Sequence, residues 1–305
     1  MVANHSSKIA LVTGATGFVG SHLTERLVRD KWVVHIVVRP TSSWQQLEPI
    51  KDKVNIHIHD GTTEGLLDIF AEVKPSIVFH LASLFLAQHT SADIVQMMQS
   101  NITFSTQLLE AMVKHQVYCL VNTGTSWQHY ENKDYSPVCL YAASKQAFEA
   151  ILQFYWETTP LNAITLKLFE TYGKNDPRKK LLSLLEKTAK QKEVLAMSPG
   201  EQLIDIVYID DVIDAYLMAA ERLLSGKVND YEEYKVSTES PLKLKEFVEI
   251  YQEEIGVNLP IEWGGRAYRN REVMIPWNKG VLLPGWQAKI TIREGIRKVQ
   301  NQDKV

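Results

Sequence analysis

A doubly wound α/β fold, with a parallel sheet covered by helices on both faces and a smaller C-terminal lobe, is predicted by three features of this sequence. The first is a glycine-rich turn, Thr13-Gly14-Ala15-Thr16-Gly17-Phe18-Val19-Gly20. It lies between the apolar run Ile9-Ala10-Leu11-Val12 and a segment whose Leu23, Leu27 and Val28 recur at helical spacing. The second is alternation: apolar, β-branched runs at residues 33–38, 54–57, 76–80 and 118–122 are separated by helical patterns such as 64–72 and 94–115. The third is that the runs are apolar on both faces, as strands of a parallel sheet buried on both sides must be.

The glycine turn defines a cofactor site. Glycines between a strand and a helix let bare backbone approach a pyrophosphate, and the helix N-terminus meets it with N–H groups and a partial positive charge. Gly14, Thr16, Gly17, Phe18, Val19 and Gly20 are therefore the candidate dinucleotide contacts. About twenty residues further on, proteins that prefer NAD place an acidic residue on the ribose 2′-hydroxyl. Here that place reads Val38-Arg39-Pro40-Thr41-Ser42, without a carboxylate. Arg39 suits a 2′-phosphate through a bidentate contact, so NADP(H) is the expected cofactor. Ligands of such a fold bind beyond the strand C-termini. Asp60 and Gly61 are accordingly placed by the adenine, and Leu81, Ala82 and Ser83 by the nicotinamide ribose. His80 is read as a satisfied strand-end histidine with no chemical role.

The fifth run leads into Asn122-Thr123-Gly124-Thr125-Ser126, and Tyr141-Ala142-Ala143-Ser144-Lys145 opens a helical run over 146–156. Tyr141 and Lys145 lie four apart on one helix face. An ammonium fixed beside a phenol lowers its pKa from the ordinary value near ~10, giving an acid that exchanges a proton close to neutrality. Thr125 or Ser126 supplies a hydroxyl to the substrate oxygen. A further strand is expected at 163–169, after which prolines punctuate short elements. Residues 1–172 are assigned to the dinucleotide-binding domain, to which 203–225 return through a strand and helix. Residues 173–202 and 226–305 form the substrate-binding lobe.

Composition narrows the class. The 305 residues, 45% hydrophobic, suffice for a full sheet-and-helix domain and a second lobe. A net charge of −3 without a basic stripe argues against a nucleic acid polymer as partner. Residues 1–7 lack the apolar stretch of a secretion signal, and no run reaches the ~18 apolar residues of a membrane span. A cytoplasmic location with no membrane partner is expected. Cys119 and Cys139 are too few for a disulfide framework or zinc site, and Asp205, Asp210 and Asp211 read as caps and structural pairs, so no metal is expected.

With these residues in this order, the chain resembles the extended short-chain dehydrogenase/reductases, the NAD-dependent epimerase/dehydratase family acting on nucleotide sugars. The resemblance spans nearly the whole length. It runs through the glycine turn, Tyr141 with Lys145, Leu168-Phe169-Glu170-Thr171-Tyr172-Gly173, and Asp205-Ile206-Val207-Tyr208-Ile209-Asp210-Asp211. It implies a hydroxyl, tyrosine and lysine triad at Thr125 (or Ser126), Tyr141 and Lys145. The family's 4,6-dehydratases carry Asp-Glu directly after the triad threonine. Ser126-Trp127 stand there instead, and neither supplies the second acid and base. Its epimerases tend to retain NAD with the acidic residue that Arg39 replaces. Thr125 to Tyr130 and Pro284-Gly285-Trp286 are most similar to nucleotide-sugar 4-ketoreductases of deoxysugar and O-antigen synthesis, the CDP-abequose and CDP-paratose type.

That resemblance implies NADPH-dependent reduction of the C4 ketone of a nucleotide-linked 4-keto-6-deoxy or 3,6-dideoxy sugar. The alternatives are an epimerase without net redox and a non-catalytic dinucleotide sensor. On the substrate side, the family places a diphosphate-binding arginine in a segment comparable to the loop of Arg266, Arg269 and Arg271, and Arg269 is the match. Arg178, Lys179 and Lys180, before a helix at 181–190, make a second cationic patch. Glu170 occupies a substrate position where relatives commonly carry Asn. The family often dimerises through the helices that here span 94–115 and 142–156, so a homodimer is expected.

Overall fold

The computed structural model describes residues 8–178 and 180–300. Six strands alternate with helices: β1 (Ile9–Thr13), β2 (Val33–Val38), β3 (Asn55–Ile58), β4 (Ile77–His80), β5 (Cys119–Thr125) and β6 (Asn162–Leu168). The chain then passes through the short β7 (Glu170–Tyr172), β8 (Leu195–Met197), β9 (Leu203–Ile204) and β10 (Ile206–Tyr208) before β11 (Tyr231–Val236) rejoins the sheet. The sheet is parallel throughout, in the order β11-β6-β5-β4-β1-β2-β3. Strand order reverses between β1 and β4, which opens the crevice where doubly wound folds bind ligands.

Strand periodicity sends alternate residues to opposite faces. Ala10 and Val12 join one core with α1 (Phe18–Arg29), while Leu11 joins the other with α2 (Thr63–Val73). The second core is completed by α4 (Phe104–Lys114) and α5 (Leu140–Thr158), with Met112, Phe148 and Leu152 fully enclosed, and the short α3 (Ile94–Met98) precedes α4. The first continues into the lobe through α6 (Leu181–Gln191) and α7 (Ile209–Leu224). There β12 (Leu242–Lys243) pairs antiparallel with β9, and β13 (Ile261–Trp263) pairs parallel with β8. The lobe closes with α8 (Leu244–Ile255) and α9 (Ile292–Gln300). Among the described residues, no helix is long and apolar enough to cross a membrane.

Four details depart from the sequence reading. Tyr231–Val236, assigned to the lobe, is the seventh strand of the main sheet, running beside β6 from Tyr231↔Ala163 to Val236↔Leu168. Its charges hid it: an edge strand keeps a solvated side, and Glu232 there pairs with Arg222 of α7 at 2.9 Å. Conversely, Ile206–Tyr208 pairs with β7 in a separate two-stranded sheet, although α7 does pack against the main core. The helix expected over 94–115 is interrupted by a π turn at Gln99–Thr103 that turns Asn101 inward. Finally, β5 runs three residues beyond 122, so Thr123, Gly124 and Thr125 belong to the strand.

Candidate active site

The glycine turn is shaped by two different demands. Gly14 has φ +72°, and a Cβ there would lie 2.5 Å from the Ala82 nitrogen; a Cβ at Gly20 would overlap the Gly14 carbonyl. Both residues are fixed by packing of strand, turn and helix. At Gly17 a Cβ would meet only the Gly14 carbonyl, at 3.3 Å, a tight contact but a milder one than at Gly14 or Gly20. Gly17 is the N-cap of α1, no side chain caps this end, and the first turn holds no acidic residue. The N–H groups and positive end of the dipole are therefore presented at the mouth of the crevice, which fits a dinucleotide pyrophosphate. The Phe18 side chain is buried in the core and Val19 packs against it, so their part in such a site is through the backbone.

The other proposed cofactor residues surround the same end of the sheet. Leu81 donates its N–H to the Thr13 carbonyl (3.2 Å) and Ala82 donates to Thr13 Oγ1 (3.3 Å), which pins the 81–83 segment against the glycine turn. Arg39 lies two residues beyond the Thr13–Val37 rung, exposed, in a turn where its N–H donates to Ser42 Oγ (3.1 Å). Asp60 is engaged locally. Its Oδ1 accepts from the N–H and hydroxyl of Thr62, both at 2.8 Å, and these bonds hold its carboxyl below the usual value. Gly61 has φ +95° with open space around it. His80 is buried between Thr13 Oγ1 and Ser105 Oγ, each 2.8 Å from a ring nitrogen. Burial, with Lys145 adding, pushes it down to about 3, so it is neutral and structural.

Tyr141 and Lys145 lie one turn apart at the start of α5. The Tyr141 phenol has the Ser83 hydroxyl as its hydrogen-bond partner, and Ser83 gives its one proton to Asn101 Oδ1 (3.3 Å). Asn101 in turn donates to Ser144 Oγ (2.9 Å) and the Leu84 carbonyl (3.1 Å), and accepts from the Leu84 N–H (2.7 Å). The π turn therefore joins the loop after β4 to the helix carrying Tyr141 and Lys145, a connection that sequence reading missed. A polar Asn at the centre of an apolar helical pattern was the available signal.

The expected lowering of the Tyr141 phenol by Lys145 is corrected by the structure. Burial, joined by Cys139 and Glu170, pushes it above its ordinary value against the Ser83 hydrogen bond and Arg178. Lys145, only 3% exposed, is itself brought down to about 8 by burial and by Lys167, with Glu149 opposing. The two groups share a helix face, but desolvation outweighs any attraction between them.

A cavity of about 870 Å³ is lined by residues of the lobe and by Phe85, Ser126 and Trp127; neither Tyr141 nor Lys145 lines it, and Tyr141 meets it only through its ring contact with Phe85. Ser126 and Trp127 line it, whereas Thr125 is buried, accepts the Trp127 N–H (3.3 Å) and caps the turn Ser126–Gln128. Glu170, Arg178, Lys180, Arg266 and Arg269 also line the cavity. Lys180 donates to Glu170 at 2.7 Å. Burial opposes ionisation of Glu170, but Lys180, Arg178 and Arg269 together hold its carboxyl below the usual range. Arg178 spends Nε and Nη2 on Asp176 (2.7 and 2.6 Å) and on the Thr171 carbonyl (2.9 Å), and stacks 4.3 Å above Phe18. Arg269 pairs with Glu272 (2.8 Å) and lies 5.6 Å over Trp127. Arg271 turns away to Ser136 (2.7 Å) and the Tyr130 ring, and Lys179 lies outside the described residues.

Aromatic residues that the sequence did not single out also line this space. Phe85, 41% exposed, stands edge-on to Tyr141 at 4.9 Å and 5.7 Å from Trp127, and Trp277 stacks on His129 at 4.1 Å. The aspartates read as structural are so employed. Asp205 accepts from Ser237 and Thr238, and Asp211 accepts from the N–H groups of Lys289 and Ile290.

This chain is 28% identical over 296 residues to the CDP-abequose synthase of Salmonella muenchen, covering 96% of this chain and 97% of that one. In fold it is similar to a UDP-glucose 4-epimerase from Thermotoga maritima solved with UDP-glucose (TM-score 0.84, 21% identity, 97% and 98% of the two chains). It is also similar to the UDP-glucose 4-epimerase of Thermus thermophilus in complex with NAD (TM-score 0.81, 24% identity, 97% and 99%). Residues 10–236 match the model of the NAD dependent epimerase/dehydratase family, and the chain belongs to that family.

Proposed function

We propose that this protein is an NADPH-dependent reductase of the C4 ketone of a nucleotide-linked 4-keto-6-deoxy or 3,6-dideoxy sugar. The observation that carries the reading is the Tyr141 ring against Phe85 at the wall of a cavity where Ser126 and Trp127, the positions after Thr125, offer no carboxylate pair. Reduction of a ketone needs an acid at the oxygen, and dehydration needs a second acid and base. The glycine turn would hold the pyrophosphate of a dinucleotide whose nicotinamide, when bound, would supply the hydride. Tyr141 gives its proton to the developing alkoxide, and Ser126 or Thr125 donates a hydrogen bond to the same oxygen. Lys145 keeps a positive charge behind the phenol, and Arg269 and Arg266 take the diphosphate. The similarity to a CDP-abequose synthase supports this reading, and the similarity to UDP-glucose 4-epimerases supports the second one, epimerisation without net redox.

Offered a nucleotide-linked 4-keto-6-deoxy sugar and NADPH, the protein is expected to consume one NADPH for each ketone lost, followed by nicotinamide absorbance. Conversion of a nucleotide sugar into its C4 epimer with no NADPH consumed would establish the epimerase instead.

Arg39 is the proposed reader of the 2′-phosphate. Losing a charge-assisted hydrogen bond costs about 1.5–3 kcal/mol, so Arg39→Ala should raise KM for NADPH by about tenfold or more. KM for NADH should barely move, and equal changes for the two cofactors would remove this assignment.

The proposed homodimer uses α3, α4 and α5, where Val95 (66% exposed) and Phe154 (60% exposed) present apolar side chains. Light scattering should give twice the chain mass in wild type, and Val95→Glu with Phe154→Glu should return it to the monomer value. A monomeric wild type would remove the interface.

A further inference from the structure

Between Tyr141 and the cavity stands a side chain to which the proposed chemistry gives no task. Phe85 lines the cavity, is exposed, and meets the Tyr141 ring edge-on at 4.9 Å with the two planes at 81°. Its other aromatic neighbour is Trp127, also of the cavity wall, at 5.7 Å. The two rings make an apolar corner beside the phenol. Buried backbone bonds fix where that corner lies. Asn101 accepts the Leu84 N–H through Oδ1 (2.7 Å) and donates through Nδ2 to the Leu84 carbonyl (3.1 Å), so both polar backbone groups of the residue before Phe85 are clamped. Cations lie over the rings. Lys180 Nζ is 5.2 Å from the centre of Phe85, and the Arg269 guanidinium is 5.6 Å from that of Trp127. Each is engaged by a carboxylate, Lys180 by Glu170 at 2.7 Å and Arg269 by Glu272 at 2.8 Å. What the corner offers a ligand is therefore ring carbon.

We propose that Phe85 is a specificity-determining residue: with Trp127 it receives the methyl group that a 6-deoxy sugar carries on C5, and so selects nucleotide-linked 6-deoxy sugars over their 6-hydroxy counterparts. The inference deepens the proposed function and rests on it for the placement of C4 at Tyr141, which the epimerase alternative shares. C5 is bonded to C4, so a sugar whose C4 oxygen meets the phenol carries its C6 group within reach of the ring beside that phenol. The methyl is the apolar substituent of such a sugar, and the corner is apolar. Closing a methyl on an aromatic ring takes apolar surface of both out of water. A hydroxymethyl group would give up hydrogen bonds to water and find ring carbon in their place. Apolar pockets reject an added hydroxyl by about 10²-fold at most, and an exposed ring such as Phe85 should reach about tenfold.

The test compares dissociation constants for matched pairs, UDP-glucose with UDP-6-deoxyglucose and CDP-glucose with CDP-6-deoxyglucose, by titration calorimetry on the full chain. Within a pair the base, the diphosphate and every other hydroxyl are the same, so the ratio reads the C6 group alone. In wild type the 6-deoxy member should bind about tenfold more tightly. Phe85→Ser should bring the two to within about twofold of each other, and Phe85→Leu, which keeps an apolar side chain, should retain most of the preference. Equal affinities in wild type, or a preference that Phe85→Ser leaves intact, would overturn the proposal. Neither comparison needs turnover, which separates the two readings. A 6-deoxy preference that Phe85→Ser removes, in a protein that spends no NADPH on a keto sugar, would overturn the reductase and leave this inference standing. NADPH spent on the keto sugar without that preference would do the opposite.

Discussion

Tyr141→Phe should lower turnover of the keto sugar by about 10²–10⁴-fold, the contribution of a positioned general acid, while dinucleotide binding and the unfolding temperature stay near wild type. The substitution removes one oxygen, and that oxygen's hydrogen-bond partner is the Ser83 hydroxyl, which keeps Asn101 Oδ1 as an acceptor. The ring contact with Phe85 at 4.9 Å survives. Steady-state turnover, paired with dinucleotide titration by fluorescence, checks both halves. Turnover within a few fold of wild type would take Tyr141 out of the chemistry.

Lys145→Met ranks second. Turnover should fall by about 10²-fold or more, because the protonated lysine orients and supports the phenol. Stability should not fall, because a buried ammonium is replaced by an apolar chain of similar shape, and Glu149 keeps Lys167 as its partner. The pH dependence has a definite sign. Folding lowers the Lys145 pKa from 10.5 to about 8, so between these values the unfolded chain binds more protons than the folded one. The penalty is complete below that window and is relieved as pH rises through it. The variant's stability relative to wild type should therefore be greatest at neutral pH and decline toward pH 10.5, as thermal unfolding across that range would show. A variant less stable than wild type at neutral pH would contradict the account of Lys145 as a costly buried charge.

Much of the fold was legible because its signals are local. A glycine turn between a strand and a helix, and runs buried on both faces, need no tertiary knowledge, and β1, β2 and α1 lie where the pattern puts them. Tyr141 and Lys145 were legible for the same reason, since four residues on a helix is a short-range relation. Their electrostatics were not: whether an ammonium lowers a phenol depends on how much water each keeps, which burial decides. Tyr231–Val236 escaped because an edge strand is allowed its charges. The substrate cations illustrate a third limit. Arg178 and Lys180 line the cavity, and their carboxylate partners Asp176 and Glu170 emerge only from the folded geometry. Asn101 and the Glu149–Lys167 pair are long-range as well, each linking segments more than fifteen residues apart.

The central claim is that hydride passes from a nicotinamide to C4 of the sugar with net reduction, Tyr141 supplying the proton. Its most direct test is the reaction of a nucleotide-linked 4-keto-6-deoxy sugar with NADPH carrying deuterium at the transferable position of the nicotinamide, the product being read by mass and by NMR. The account predicts one deuterium per product molecule, located on C4, and none when Tyr141→Phe replaces the wild-type protein. A 4-keto sugar left unreduced with the NADPH unspent, by protein that interconverts the C4 epimers of a nucleotide-linked hexose without taking up deuterium, would contradict it.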